Sequence, residues 1–222
     1  MGFSFVAMGL LHGLLPHAAW SKLVVALGYG VGFLIVIVGR QQLFTENSLT
    51  PIIPLLQTRS RATLLEVARL WSIVLVSNLL GTLAFAFALQ RVRVFDGATA
   101  DAFAELAREA MKSGLSSHFV RGIFAGWLIA LMTWMLTGAE ARAFIVMVMT
   151  YLVGVGQLSH VVAGSCEAFF AVFNGDATRW DYVSRFLAPT ALGNMLGGIG
   201  LVTLLNHAQV VADADHRRPR SG

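Results

Sequence analysis

The sequence predicts an all-α membrane protein of six transmembrane helices, arranged as two inverted three-helix repeats in which the second helix of each repeat (helices 2 and 5) is broken. Three observations carry that expectation. The 222 residues are 56% hydrophobic and 13% charged, against about 25% charged in an average soluble domain, too little charge to cover a water-facing surface. Six apolar stretches, at about 1–15, 23–44, 70–89, 120–137, 143–173 and 186–206, match the roughly 20 residues a helix needs to cross a bilayer. One segment also recurs. Leu75-Val76-Ser77-Asn78-Leu79-Leu80-Gly81-Thr82 resembles Ala191-Leu192-Gly193-Asn194-Met195-Leu196-Gly197-Gly198, its Asn-x-Leu-Gly core returning 116 positions later.

The first stretch is short and opens on apolar residues, with no basic n-region or small-residue cleavage site. It is expected to be the remainder of a helix whose natural start lies earlier. The second ends at Val38-Gly39-Arg40-Gln41-Gln42. Leu43-Phe44-Thr45-Glu46-Asn47, Pro51 and Pro54 then interrupt a run that stays apolar through Ile52, Ile53, Leu55 and Leu56. Irregular backbone at that depth is tolerated only where it lines a cavity or is buried in protein. The fifth stretch is too long for one straight helix, since its 31 residues would reach about 46 Å across a core of about 30 Å. It carries Gly154, Gly156, Gln157, Ser159, His160, Gly164 and Glu167, so two half-helices around a break are expected.

The chain divides into a first repeat at 1–89, an extramembrane connection at 90–119, a second repeat at 120–206 and a basic cytoplasmic tail at 207–222. Within the connection, Ala100 to Met111 reads as a solvated or interfacial surface helix. Three spans per repeat turn the second copy upside down, so the two breaks meet near the midplane. Thr45 and His160, 115 positions apart, are the related positions in those breaks. Both termini are expected on the cytoplasmic side. That architecture suits a path across a membrane better than a plain anchor.

The net charge of +4 comes from bases scattered at segment ends and from the tail His216-Arg217-Arg218-Pro219-Arg220. The expected partner is therefore the lipid bilayer and not nucleic acid. A single cysteine, Cys166, excludes an internal disulfide and a multi-cysteine zinc site. A haem-binding subunit or membrane enzyme would need histidines on facing helices. His12 is near a span, whereas His17, His118, His207 and His216 fall at ends or loops. No cofactor, metal or catalytic residue is expected.

His160 is the main candidate, because an ionisable group inside an apolar run is costly and is usually functional or paired. Its imidazole can supply a proton or a positive charge to a small anion, and half-helix N-termini add partial positive charge. The Thr45 hydroxyl is placed to orient that ring or to touch a solute. Glu46 and Glu167, beside the two breaks, would disfavour anions unless protonated or paired, with Arg40 or Arg69 as candidate partners. They leave open a neutral or cationic solute instead. Gly28, Gly30, Gly32, Gly193, Gly197 and Gly198 serve close helix packing or pore lining, and the residue string does not choose.

The motifs Leu43-Phe44-Thr45, Ser77-Asn78-Leu79-Leu80-Gly81, Ser159-His160-Val161-Val162-Ala163 and Gly193-Asn194-Met195-Leu196-Gly197-Gly198 resemble the formate/nitrite transporter family. The resemblance implies a homopentamer in the bacterial inner membrane, with an aquaporin-like protomer and one pore per protomer. It implies His160 at the pore centre and Thr45 in the loop that breaks the second helix. Phe44, Asn78 and Asn194 are pore candidates from the same motifs, and Phe33 and Leu34 are candidates for apolar constrictions. The implied solute is a small anion or weak acid such as formate or nitrite, with a proton. Two departures mark a divergent branch: Gly164 and Gly126 stand where formate-type members often carry asparagine.

Overall fold

A computed structural model of the protein describes residues 1–46, 51, 52, 55, 58, 60–92 and 94–200. The basic tail, Asn47, Ile53, Pro54, Leu56 and the end of the sixth stretch lie outside the described residues. The helices are α1 (Gly2–Leu14), α2 (Ser21–Val38), α3 (Arg61–Val92), α4 (Gly97–Lys112), α5 (Leu115–Met135), α6 (Arg142–Val155), α7 (Val161–Asn174) and the short α8 (Arg179–Asp181). From α8 the chain runs through a π-helical turn, Tyr182–Leu187, into α-helix over 188–200. There is no strand among the described residues.

The α2, α3 and α5 helices are long and apolar enough to cross a membrane, and α1, α6 and α7 are shorter apolar helices. Large apolar side chains such as Leu27, Ile73, Leu80, Phe124 and Leu192 are exposed on their outer faces, the arrangement a lipid-facing wall requires. The two halves pack alike. α1 lies on α2 as α5 lies on α6, and α2 and α6 meet across the centre.

Glycines set how closely these helices approach. A Cβ on Gly28 would meet the Met8 backbone at 2.7 Å, and one on Gly32 would meet the Ser4 hydroxyl at 2.5 Å, so both face α1. The Gly32 N–H donates to Ser4 Oγ at 3.0 Å, and that hydroxyl donates onward to the Tyr29 carbonyl at 2.6 Å. On α5, Gly122 and Gly126 interlock with Gly193 and Gly197 of the last helix, backbone against backbone. These positions serve packing: with lipid outside, helix association rests on contacts that only small residues permit.

The two breaks are built the same way. At the end of α2, Arg40 takes a left-handed conformation (φ 52°) and the Gln41 N–H reaches back to the Val36 carbonyl at 2.8 Å. At the end of α6, Gln157 does the same (φ 48°) and the Leu158 N–H reaches the Val153 carbonyl at 2.9 Å. Each is a left-handed helix stop that satisfies carbonyls the helix end leaves open. Arg40 and Gln157 are 117 positions apart. In this frame Leu43, and not Thr45, stands in the place of His160, a correction of two positions to the relation expected from sequence.

Arg61, Glu66 and Arg69 belong to the first turns of α3. Its 32 residues reach about 48 Å and so extend beyond the hydrocarbon. The segment read as a solvated surface helix is α4. Its Ala102, Phe103, Ala107 and Met111 are buried, and the Phe103 ring packs on Phe5 and Phe170 at 5.2 and 6.0 Å. Its Glu105, Glu109 and Lys112 line a cavity described below.

Gly126→Asn, which installs the side chain that formate-type relatives often carry, is expected to be destabilising. Its Cβ falls on the backbone of Asn194, and overpacking of this kind costs about 1–3 kcal/mol. Thermal unfolding in detergent checks it: a clearly lowered midpoint is expected, while Gly81→Ala, with open space around it, leaves the midpoint near that of the parent.

Candidate functional site

The second half-helix of the fifth stretch, α7, begins inside the protein, where its first N–H groups have no water to bind. His160 is its N-cap. The Ala163 N–H donates to His160 Nδ1 at 3.2 Å. The Val161 N–H donates to Asn194 Oδ1 at 2.9 Å. Because Nδ1 accepts, the neutral ring carries its proton on Nε2. That nitrogen lies 2.7 Å from Thr45 Oγ1, so Nε2–H donates and the hydroxyl accepts. His160 and Thr45 are 1% and 3% exposed, and the Phe33 ring packs edge-on against the imidazole at 5.1 Å. Leu43 and Phe44 complete the dry surroundings, each 1% exposed, and Phe44 also meets Trp71 at 6.5 Å. Leu34 is partly buried against the same core.

The two asparagines of the repeated motif do one job in both halves. Asn78 Oδ1 accepts from the Phe44 N–H at 3.0 Å, and its amide donates to the Gln42 carbonyl at 3.1 Å. Asn194 Oδ1 accepts from Val161 N–H, and its amide donates to the Ser159 and Gly122 carbonyls, both at 2.8 Å. Each spans the break of its own repeat and holds it against the following helix. Asn194 is 1% exposed and its three bonds all go to backbone. Both residues position the breaks, and neither lines the cavity that reaches His160.

A cavity of about 560 Å³ descends from the α4 side of the molecule to His160. Tyr29, His118, Ser159, Gly164, Glu167 and Phe186 line its inner part. Lys22, Lys112 and Arg121 stand with Glu105 and Glu109 nearer its mouth. There His12 Nε2 meets Glu105 at 3.0 Å. That hydrogen bond holds the Glu105 carboxyl below its usual value of 4.5. The resulting stabilisation is complete above the ordinary value and lost as pH falls through the lowered one. At the N-cap of α4, the Thr99 hydrogen bonds likewise hold Asp96 below the ordinary carboxylate range.

The two glutamates do not share a site. Glu167 lines the cavity. Among the described residues, Arg142 at the first turn of α6 is the base whose charge reaches Glu46. The α6 residues on the cavity lie at its opposite end, from Val153 onward, about 15 Å up that helix. Glu46 therefore belongs to the side of the break away from the cavity.

His118, assigned from sequence to a helix end, is 3% exposed in the first turn of α5. Its Nδ1 lies 2.9 Å from Ser159 Oγ, its ring meets Phe186 at 5.1 Å, and its Nε2 is buried without a hydrogen-bond partner. Among the described residues no three His, Cys, Asp or Glu side chains come together as a metal site.

The profile of the family described as formate/nitrite transporter matches residues 1–208. The inner membrane protein YfdC of Escherichia coli (strain K12) is 39% identical over 98% of this chain and 71% of its own length. The formate channel BtFdhC of Bacillus thuringiensis is 24% identical over 91% of this chain and 81% of its own. Among solved structures, a pentameric formate channel with formate bound superposes with a TM-score of 0.81, covering 95% of this chain and 92% of that one at 18% identity. An FNT family ion channel gives 0.78, covering 94% and 84% at 18% identity.

Asn194→Ala strands the Val161 N–H and two carbonyls inside the protein, and is expected to cost about 3 kcal/mol or more. Asn78→Ala strands two groups at a more exposed place and is expected to cost less. Thermal or denaturant unfolding of the two variants side by side checks the order.

Proposed function

The chain belongs to the formate/nitrite transporter family, and from that premise we propose that it conducts small monovalent anions of weak acids, formate and nitrite among them, together with a proton. It is a transport protein and not an enzyme. The observation that carries the reading is the fixed direction of His160. With Nδ1 committed to the Ala163 N–H, the ring points Nε2–H at Thr45, in a dry constriction at the foot of the cavity. A solute oxygen arriving there accepts the same hydrogen bond in place of the threonine oxygen. The neutral imidazole keeps that proton, since losing it would leave an imidazolate, and the proton that accompanies the solute comes from hydronium or water on the cavity side.

This sharpens the role expected from sequence. A second proton on Nδ1 would break the helix cap, so donation through Nε2 is favoured over a standing imidazolium as the means of carrying an anion across. Phe33, Leu43 and Phe44 keep the constriction free of water, which strengthens a hydrogen bond to a charged solute. The assembly we propose is a homopentamer in the bacterial inner membrane, each protomer with its own pore and both termini cytoplasmic. Its support is the similarity to YfdC and to the pentameric channel.

A second reading, a neutral or cationic solute, draws on Glu167 in the cavity wall. It predicts uptake of a probe such as methylammonium that depends on Glu167 and is indifferent to His160.

His160→Asn is expected to lower formate flux into proteoliposomes by at least about tenfold, which is 1.4 kcal/mol of lost stabilisation in the constriction. Thr45→Val, which keeps the shape and removes the hydroxyl, is expected to change flux less than His160→Asn and to leave stability within about 1–2 kcal/mol of the parent. Stopped-flow uptake with formate and nitrite checks both. Flux that is indifferent to His160 contradicts the reading.

A further inference from the structure

Positions 160, 164 and 167 fall on one face of the helix that His160 caps, at spacings of four and three. His160 stands at the foot of the cavity, and from α7 itself only Gly164 and Glu167 line the wall. Gly164 places no side chain between them, and a Cβ there would meet the buried Phe186 ring at 2.6 Å. The Phe186 ring therefore packs into the place a side chain would take, and the cavity bordered by Gly164 and Phe186 is the gap that separates Glu167 from His160, about 10 Å along the helix axis. That is room for one small solute with its water.

Glu167 has no counter-charge. The ion pairs among the described residues are His12–Glu105, Lys112–Glu109 and Arg185–Asp181, and no hydrogen bond engages its carboxyl. The charged or titratable groups on the cavity wall are His12 from α1, Lys22 and Tyr29 from α2, Glu105, Glu109 and Lys112 from α4, His118 and Arg121 from α5, and His160 at the break. The cations among them stand toward the mouth. An ionised side chain without a partner at membrane depth is costly, and such residues mark proton relays and solute paths. A neutral carboxyl facing the gap is a hydrogen-bond donor and does not repel an arriving anion.

We propose that Glu167 is the proton-exchanging residue of the cavity, which neutralises the anion of a small weak acid in the Gly164 gap before it meets His160. The inference rests on the weak-acid reading above and assigns it a second group. The step is a proton transfer. The Glu167 O–H bond breaks, an O–H bond forms on the solute anion, and the carboxylate left behind takes its proton back from hydronium or water in the cavity. Lys22, Lys112 and Arg121 gather the anion at the mouth, and Glu167 removes its charge where the wall becomes apolar.

The test is formate uptake by proteoliposomes of the full chain from about pH 5 to about pH 8, comparing the parent with Glu167→Gln, Glu167→Asp and Gly164→Asn. Glu167→Gln keeps the shape and a hydrogen-bond donor but cannot give up a proton. It is expected to lose about tenfold in flux at the alkaline end and to approach the parent at the acid end, where bulk water supplies neutral formic acid. Glu167→Asp is expected to keep the pH profile of the parent at reduced flux. Gly164→Asn, whose side chain must push the Phe186 ring aside, is expected to lower flux equally at every pH. Elution as a single species and thermal unfolding confirm that each variant is folded. If Glu167→Gln follows the parent at every pH, or is reduced by the same factor throughout, the inference is overturned while the weak-acid reading stands. A parent that passes no formate or nitrite at any pH overturns both.

Discussion

A helix that begins in the middle of a bilayer must find acceptors for N–H groups that water cannot reach, and in this protein His160 and Asn194 supply them. The Ala163 N–H takes the imidazole Nδ1 and the Val161 N–H takes the asparagine oxygen. Much of the site follows from these two bonds. The first fixes the ring's tautomer and aims its remaining proton at Thr45. The second ties the start of α7 to the last helix, and through the Gly122 carbonyl to α5. His160, the proposed chemical group of the pore, is thus also a structural member of the fold, and cannot turn away without uncapping a helix.

The glycine contacts make that arrangement possible. Asn194 reaches Gly122 because the last helix lies directly against α5, with Gly193 and Gly197 set between Gly122 and Gly126. The same economy holds in the first repeat, where Gly28 and Gly32 bring α2 onto α1 and Ser4 stitches the two. The asparagine that formate-type members often carry on the fourth helix has no room here, so Gly126 is a packing residue in this chain. Gly164 is different: it borders the cavity, and its missing side chain makes room for the Phe186 ring in the cavity wall.

Much of this was legible in the residue string, because a break inside an apolar run is a one-dimensional signal. Gly154, Gly156 and His160 interrupt a stretch too long for one helix, and Gly39 to Thr45 do the same earlier. The Asn-x-Leu-Gly repeat marked the residues that hold both breaks, although not their role, since a side chain bonded to backbone leaves no trace in spacing. The repeat register was off by two because His160 and Thr45 are partners across the pore and not equivalent positions. Arg40 and Gln157, the true equivalents, share a backbone conformation and not a residue type. The α4 helix was legible as a surface helix, its Glu105, Glu109 and Lys112 being exposed, whereas the entry of Phe103 on its other face into the core was not. His118 was passed over because α5 starts at Leu115, before the apolar run begins.

The central claim is that His160 is held as the tautomer with an open Nδ1 and a protonated Nε2. Nitrogen-15 magnetic resonance of histidine-labelled protein in lipid tests it directly, with the His160→Asn variant identifying the resonance among the six histidines. The account predicts an unprotonated Nδ1 and an Nε2–H at neutral pH. A proton found on Nδ1, with Nε2 bare toward Thr45, would contradict it, because the helix cap and the direction of donation into the pore would both be lost.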